Sequence, residues 1–224
     1  MATEPEHSRI IAAAAREMLA PLGCNRKGRS RVWHDDRGWW MIGVEFQPFS
    51  GQRGSCLNVG AHWLWHAKDW FSYDYGDRVA GFQEFVDAIQ FKPLAEDLAR
   101  RAAREVLALR EQLRTVRGAA EAIRGKPNKQ IWDHYRAGIA DGLLGDVESA
   151  RAHFGAARAA DDRALPWVVA LHAKIDGLTE LCRTTPDFRS SIADEVVRSR
   201  ALKKLPPLAD AASLWSPEVL GLAS

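Results

Sequence analysis

The chain is poor in the groups that announce a chemistry. Its 224 residues include only three cysteines, Cys24, Cys56 and Cys182. Odd in number and far apart, they form neither a disulfide framework nor a zinc set, and they read as small apolar residues in a reducing compartment. No apolar run approaches the ~20 residues that span a bilayer, so no membrane association is expected. Neither sign of charge dominates: 31 Lys+Arg against 29 Asp+Glu leave a net charge of +2, and no acidic or basic partner follows from bulk charge. Catalytic signatures are missing too. There is no Gly-x-Ser-x-Gly elbow, no phosphate loop of the Walker type, no dinucleotide fingerprint and no Cys/His spacing for a metal. Catalytic residues are therefore unassigned, and nothing calls for a cofactor. Near the N-terminus, Ile10-Ile11 and the alanines 12–15 are preceded by Glu4 and Glu6 and followed by Arg16 and Glu17. A secretory leader has a basic start and a longer apolar stretch, so the expectation is a cytoplasmic protein that begins with a helix.

What is present is the material of a globular fold, 46% hydrophobic and 27% charged. The length suits one large domain or two small ones. Over residues 5–20 the apolar positions Ile10, Ile11, Ala14 and Met18 recur at helical steps, and Pro21 and Gly23 then stop the helix. The period next changes to two. Strands are expected over 29–35, 39–47 and 55–65, with turns at Asp36-Arg37-Gly38 and in the Pro48–Gly54 loop. Helical spacing returns at 79–89, anchored by Phe82, Phe85, Val86 and Ile89. Residues 93–124 carry the longest periodic run; as one helix it would be roughly 45 Å long and connect the two halves. From 131 to 205 the pattern is all helical, broken at Asp161-Asp162, Pro166 and Pro186. The expected fold is α+β: a small antiparallel meander of three or more strands, an N-terminal helix and a long connecting helix over 1–125, then an all-α bundle over 126–224.

Two stretches resemble known families. Leu22-Gly23 at the end of a helix, Arg26-Lys27-Gly28-Arg29 leading into a strand, a second strand ending at Gln47, and Leu57-Asn58-Val59-Gly60 in a third together resemble the uncharacterised bacterial domain of unknown function family 4304, over residues 8–120. The chain departs from that pattern at Cys24, where an aromatic is expected. The resemblance implies an α+β fold with a meandering sheet and transfers no activity. Gly138, Gly145, Ala150, Phe154 and Ala157 fall at tetratricopeptide-repeat spacing, so residues 132–160 resemble one such helical hairpin. His134 and Asp141 stand where Trp and Tyr are usual, and a solenoid needs about three units.

The alternation of the strands places Glu45, Gln47, Asn58 and His62 on one sheet face, with Arg31 at its border and Gly43 and Gly60 lowering its floor. A carboxylate, an imidazole, two amides and a guanidinium suit a small anionic or peptide ligand. They also suit an enzyme in which Glu45 is base or acceptor, His62 the acid/base and Arg31 the anion anchor. His62 and His66 are four apart, but in a strand that is roughly 13 Å, so no metal site is expected. Six of the nine tryptophans precede residue 75. Trp39, Trp65 and Trp70 are candidates for interaction, because Trp contributes large, stiff area with a polar N–H. Seven arginines, 100, 101, 104, 110, 114, 117 and 124, ride the long helical run and raise the alternative of nucleic acid, although acids are interleaved among them. The leading expectation is a non-enzymatic protein-interaction module with a protein partner or its own copy, using a Trp-rich sheet face or the helical C-terminal half. The ligand-binding or enzymatic sheet face and the nucleic-acid-binding helix are the alternatives.

Overall fold

A computed structural model describes residues 4–211 and 213–223. The fold is α+β. The chain divides into two compact units, one of residues 1–64 and 68–111, the other of 65–67 and 112–224. The division thus falls ahead of the boundary at 125 that the sequence suggests.

In the first unit, α1 (Glu6–Leu19) runs into a short 3-10 turn, Ala20–Leu22. Five strands follow: β1 (Asn25–Arg26), β2 (Val32–Asp36), β3 (Trp40–Phe49), β4 (Gln52–Trp63) and β5 (Tyr75–Glu84). They pair antiparallel in chain order, a plain meander. The period-two alternation of β3 and β4 sends Trp40, Ile42, Val44 and Phe46 to one face together with Leu57, Val59, Ala61 and Trp63. All eight are essentially buried and form the core face. α2 (Ala88–Gln112) adds Phe91, Ala95, Leu98, Ala102, Val106 and Leu109 to the buried set at helical steps. Arg110 of α2 donates to Asp35 in β2 at 2.8 Å and to the Leu22 carbonyl at 2.6 Å, tying helix to sheet edge.

Two helical expectations are corrected. Residues 79–84, read as the start of an amphipathic helix, belong to β5, and α2 begins only at Ala88. Within that stretch, apolar spacing alone does not separate a short helix from a bulged strand. β5 slips register against β4 on both sides of Leu57, which blurs its alternation. Val86 and Ile89, expected as anchors, are exposed. The run over 93–124 is also two helices, α2 and α3 (Val116–Arg124). Thr115 adopts extended backbone between them, and its hydroxyl accepts the Gly118 N–H at 3.1 Å, an N-cap hidden inside an unbroken apolar stripe.

The second unit is helical: α3, α4 (Ile131–Leu144), α5 (Val147–Ala160), α6 (Pro166–Leu181), α7 (Thr185–Leu202) and α8 (Pro217–Leu220), together with residues 65–67. α4 and α5 form the hairpin expected at 132–160. A Cβ on Gly138 would stand 2.6 Å from the Phe154 ring, so the absent side chain is the space Phe154 fills. Among the described residues no helix is long and apolar enough to cross a membrane.

Candidate functional site

The sheet face opposite the core is built around a trough. Gly43, Gly60 and Gly76 are cross-strand neighbours on β3, β4 and β5. The missing side chains of Gly43 and Gly60 leave a groove across their strands, while Gly76, at a φ of 97°, lies so close to β4 that a Cβ would stand 2.6 Å from the Gly60 backbone. The chain fills the groove with its own 68–74 segment. Phe71 lies on Gly43, where a Cβ would collide with its ring, and Tyr73 lies on Gly60, where a Cβ would be 2.9 Å from its ring. The Phe71 ring stands between His34 (centroids 5.6 Å, stacked) and His62 (5.0 Å), with Tyr73 edge-on at 5.1 Å. Aromatic cover over strand glycines is a known way to fix register.

Beneath this cover, His62 is fully buried. Its Nδ1 lies 3.1 Å from the Ser72 hydroxyl oxygen and 3.3 Å from Asp74 Oδ2. The Ser72 hydroxyl donates to Asp74 Oδ1 at 2.6 Å, and Lys68 donates to Ser72 at 2.6 Å and to Asp74 at 3.3 Å. The Trp63 N–H at the end of β4 donates to Asp74 Oδ2 at 2.9 Å. Ser, His, Asp and Lys are catalytic residue types, but here their polar atoms are turned on one another in a closed space. The group is a clasp that holds the connection against β4.

Glu45, Gln47 and Asn58 are brought together as expected, half-buried on the same face. Asn58 donates to Glu45 at 3.2 Å and to Gln47 at 3.0 Å. Two further members, Tyr73 and Arg78, complete the network. Tyr73 donates to Glu45 at 3.5 Å; Arg78 donates to Gln47 at 2.9 Å and to Asn58 at 3.3 Å, with its guanidinium 5.9 Å from the Phe49 ring. Burial first, then the neighbouring Glu45 charge, holds the Tyr73 phenol far above its ordinary range, so it remains a donor. Both residues were missed because the 65–74 connection has no period and β5 was read as helix from residue 79, with no strand ahead of it. The signal that could have found Tyr73 was present: two strand glycines in register, followed by closely spaced aromatics.

Arg31 is on the other side of the sheet. Val32 pairs with Glu45, so Arg31, one residue earlier, points to the opposite face. There it donates to the Gly54 carbonyl at 3.0 Å and to Ser8 of α1 at 2.5 Å. Trp39, a candidate for interaction, is 3% exposed and stacks on Trp63 at 5.7 Å. Trp65 is fully buried, and Trp70 is 63% exposed. No Trp-rich open sheet face forms from these three. His62 and His66 belong to different units, and no cluster of His, Cys, Asp or Glu among the described residues is placed to hold a metal. Burial pushes the Cys24 and Cys182 thiols up to about 11, which removes their thiolate character near neutrality. Of the seven helix arginines, Arg100 and Arg101 pair with Asp97, Arg110 with Asp35 and Arg124 with Asp141.

Two histidines outside the trough give the fold an acid limit. Burial, with Arg31 and Arg53 beside it, lowers the pKa of His7 below its ordinary 6.5. Burial also lowers that of His153, helped by His134, Arg124 and Lys129 and opposed by Asp141. Each group therefore contributes stability that is complete above about pH 6.5 and is lost as pH falls through the folded value. The melting temperature is expected to fall as the pH drops below about 6.5. The His7→Gln, His153→Gln double variant should flatten that segment, and an unchanged slope in the variant would contradict the assignment.

The chain matches no family model, no curated protein and no solved structure.

Proposed function

We propose that this protein is a non-enzymatic protein-interaction module, and that its helical unit supplies the binding surface. The observation that carries the reading is an accessible aromatic pair. Trp167 at the start of α6 is 43% exposed and stacks on half-buried Trp132 of α4 at 6.2 Å with an interplanar angle of 17°. The Arg136 guanidinium lies 6.0 Å from the Trp132 ring. Stiff aromatic area beside an arginine is the composition of an interface centre. The sheet unit supports the same reading in part, since Phe71 and Tyr73 occupy the His62 end of its polar face. Three separate, buried thiols are consistent with a cytoplasmic setting. Kinship of residues 8–120 with family 4304 is part of this proposal; the N-terminal helix and the meander support it, and it brings no activity with it.

The test is site-specific photocrosslinking in cells that express the protein. A photoreactive phenylalanine analogue at Trp167 is expected to crosslink a discrete protein, while the same analogue at exposed Glu148 of α5 is not. Equal yields at both positions, or none at Trp167, would contradict the reading. Trp167→Ala should abolish that contact yet cost under about 1.5 kcal/mol of stability, the size of one aromatic pair.

A further inference from the structure

We infer that the seam between α1 and the start of α2 is a self-association surface, in which Ile89 of one copy of this chain seats in a hollow on a second copy. This surface lies in the sheet unit and shares no residue with the Trp132–Trp167 face, so the inference goes beyond the function proposed above. The hollow has a volume of about 210 Å³ and an apolar floor of Ile10, Ala13, Ala14 and Ala88, rimmed by Glu17, Lys92 and Glu96. A cavity of about 150 Å³ accepts benzene, so this one has room for a branched aliphatic side chain. Its α1 residues recur at three- and four-residue steps, a single helix face.

Beside the hollow stands a side chain with the matching chemistry. Ile89 is 89% exposed, and Val86 just ahead of it is 69% exposed. Ile89 precedes Lys92 by three residues and Glu96 by seven, so helical geometry puts it on the hollow's own side of α2. A lone exposed isoleucine needs no explanation. A knob next to a hole is different, because a two-fold axis brings each knob to the other copy's hole and satisfies both at once.

The charges favour a second copy over an unrelated partner. The seam and the exposed flank of α1 carry Glu6, Glu17 and Glu96 against Arg9, Arg16 and Lys92. The rim of the hollow is acidic, Glu17 and Glu96 against Lys92, and the exposed flank of α1 is basic at Arg9 and Arg16, so the bases of each copy are available to the acidic rim of the other.

Sedimentation velocity on the full chain, from micromolar to near-millimolar concentration, tests the inference. The wild type is expected to dimerise. Ile89→Asp is expected to weaken the dimer at least about a hundredfold, since two buried isoleucines are lost per dimer. Ala13→Arg, which fills the hollow from an exposed position, should do the same, and both variants keep their native circular dichroism because neither residue is buried. Trp167→Ala should leave the dimer intact, which separates this surface from the one proposed above. A wild type that stays monomeric overturns the inference and leaves the seam to a different partner. A dimer indifferent to both Ile89→Asp and Ala13→Arg overturns it equally.

Discussion

Replacing Asp74 by alanine is expected to cost the sheet unit about 3–5 kcal/mol, the penalty for removing one partner of a buried ionic pair. One carboxylate here serves four groups: the Ser72 hydroxyl, the Lys68 ammonium, the Trp63 N–H and the ring of His62. Its side chain is 1% exposed and that of Lys68 is 8% exposed, so water replaces little of what is lost. Asp74→Asn retains an acceptor for Trp63 but loses the charge facing Lys68, and it should fall between wild type and Asp74→Ala. Urea unfolding, read by amide exchange in β4, checks the order. A loss below about 1 kcal/mol for Asp74→Ala would mean that the clasp is a surface pairing of ordinary weight.

Gly60→Val is expected to be comparably damaging, at about 3 kcal/mol or more, by a different route. A Cβ at this position would lie 2.5 Å from the Tyr75 carbonyl oxygen and 2.9 Å from the Tyr73 ring. The aromatic ring can swing away; the carbonyl belongs to the neighbouring strand and cannot move without separating β4 from β5. Overpacking that reaches backbone lies at the upper end of its usual cost. Gly43→Ala is the informative comparison, because the three atoms nearest its Cβ all belong to the Phe71 ring. It should displace Phe71, cost less than Gly60→Val, and expose His62. If the two substitutions cost the same, the trough is not the feature that separates them.

These two results concern a region only half legible in the sequence. The alternation of β3 and β4 was readable because each has a core face of large apolar residues, and this placed Glu45, Gln47, Asn58 and His62 on a common surface correctly. The glycines were read as a floor open to a ligand. Their occupants lie ten to thirty residues away in a connection without period, and local pattern says nothing about where such a segment lies down. Arg31 was misjudged by the parity of one residue, since a strand read as starting at 29 does not reveal which side its first members face. Thr115 shows the reverse case. The apolar stripe from Leu94 to Ile123 is continuous across it, so amphipathicity argued for one helix while a capping hydroxyl divided it in two. The α4–α5 hairpin was legible because its signal is steric: a glycine opposite a phenylalanine needs no distant partner to be interpreted.

The His62 end of the polar sheet face is closed by Phe71 and Tyr73 of its own chain. Native-state labelling of histidines with diethylpyrocarbonate, mapped by mass spectrometry, tests it most directly. His62 should stay unmodified until the protein unfolds, while partly exposed His153 reacts in the folded state. Modification of His62 in the native protein at the rate of His153 would show an open site beneath Phe71 and would contradict the account.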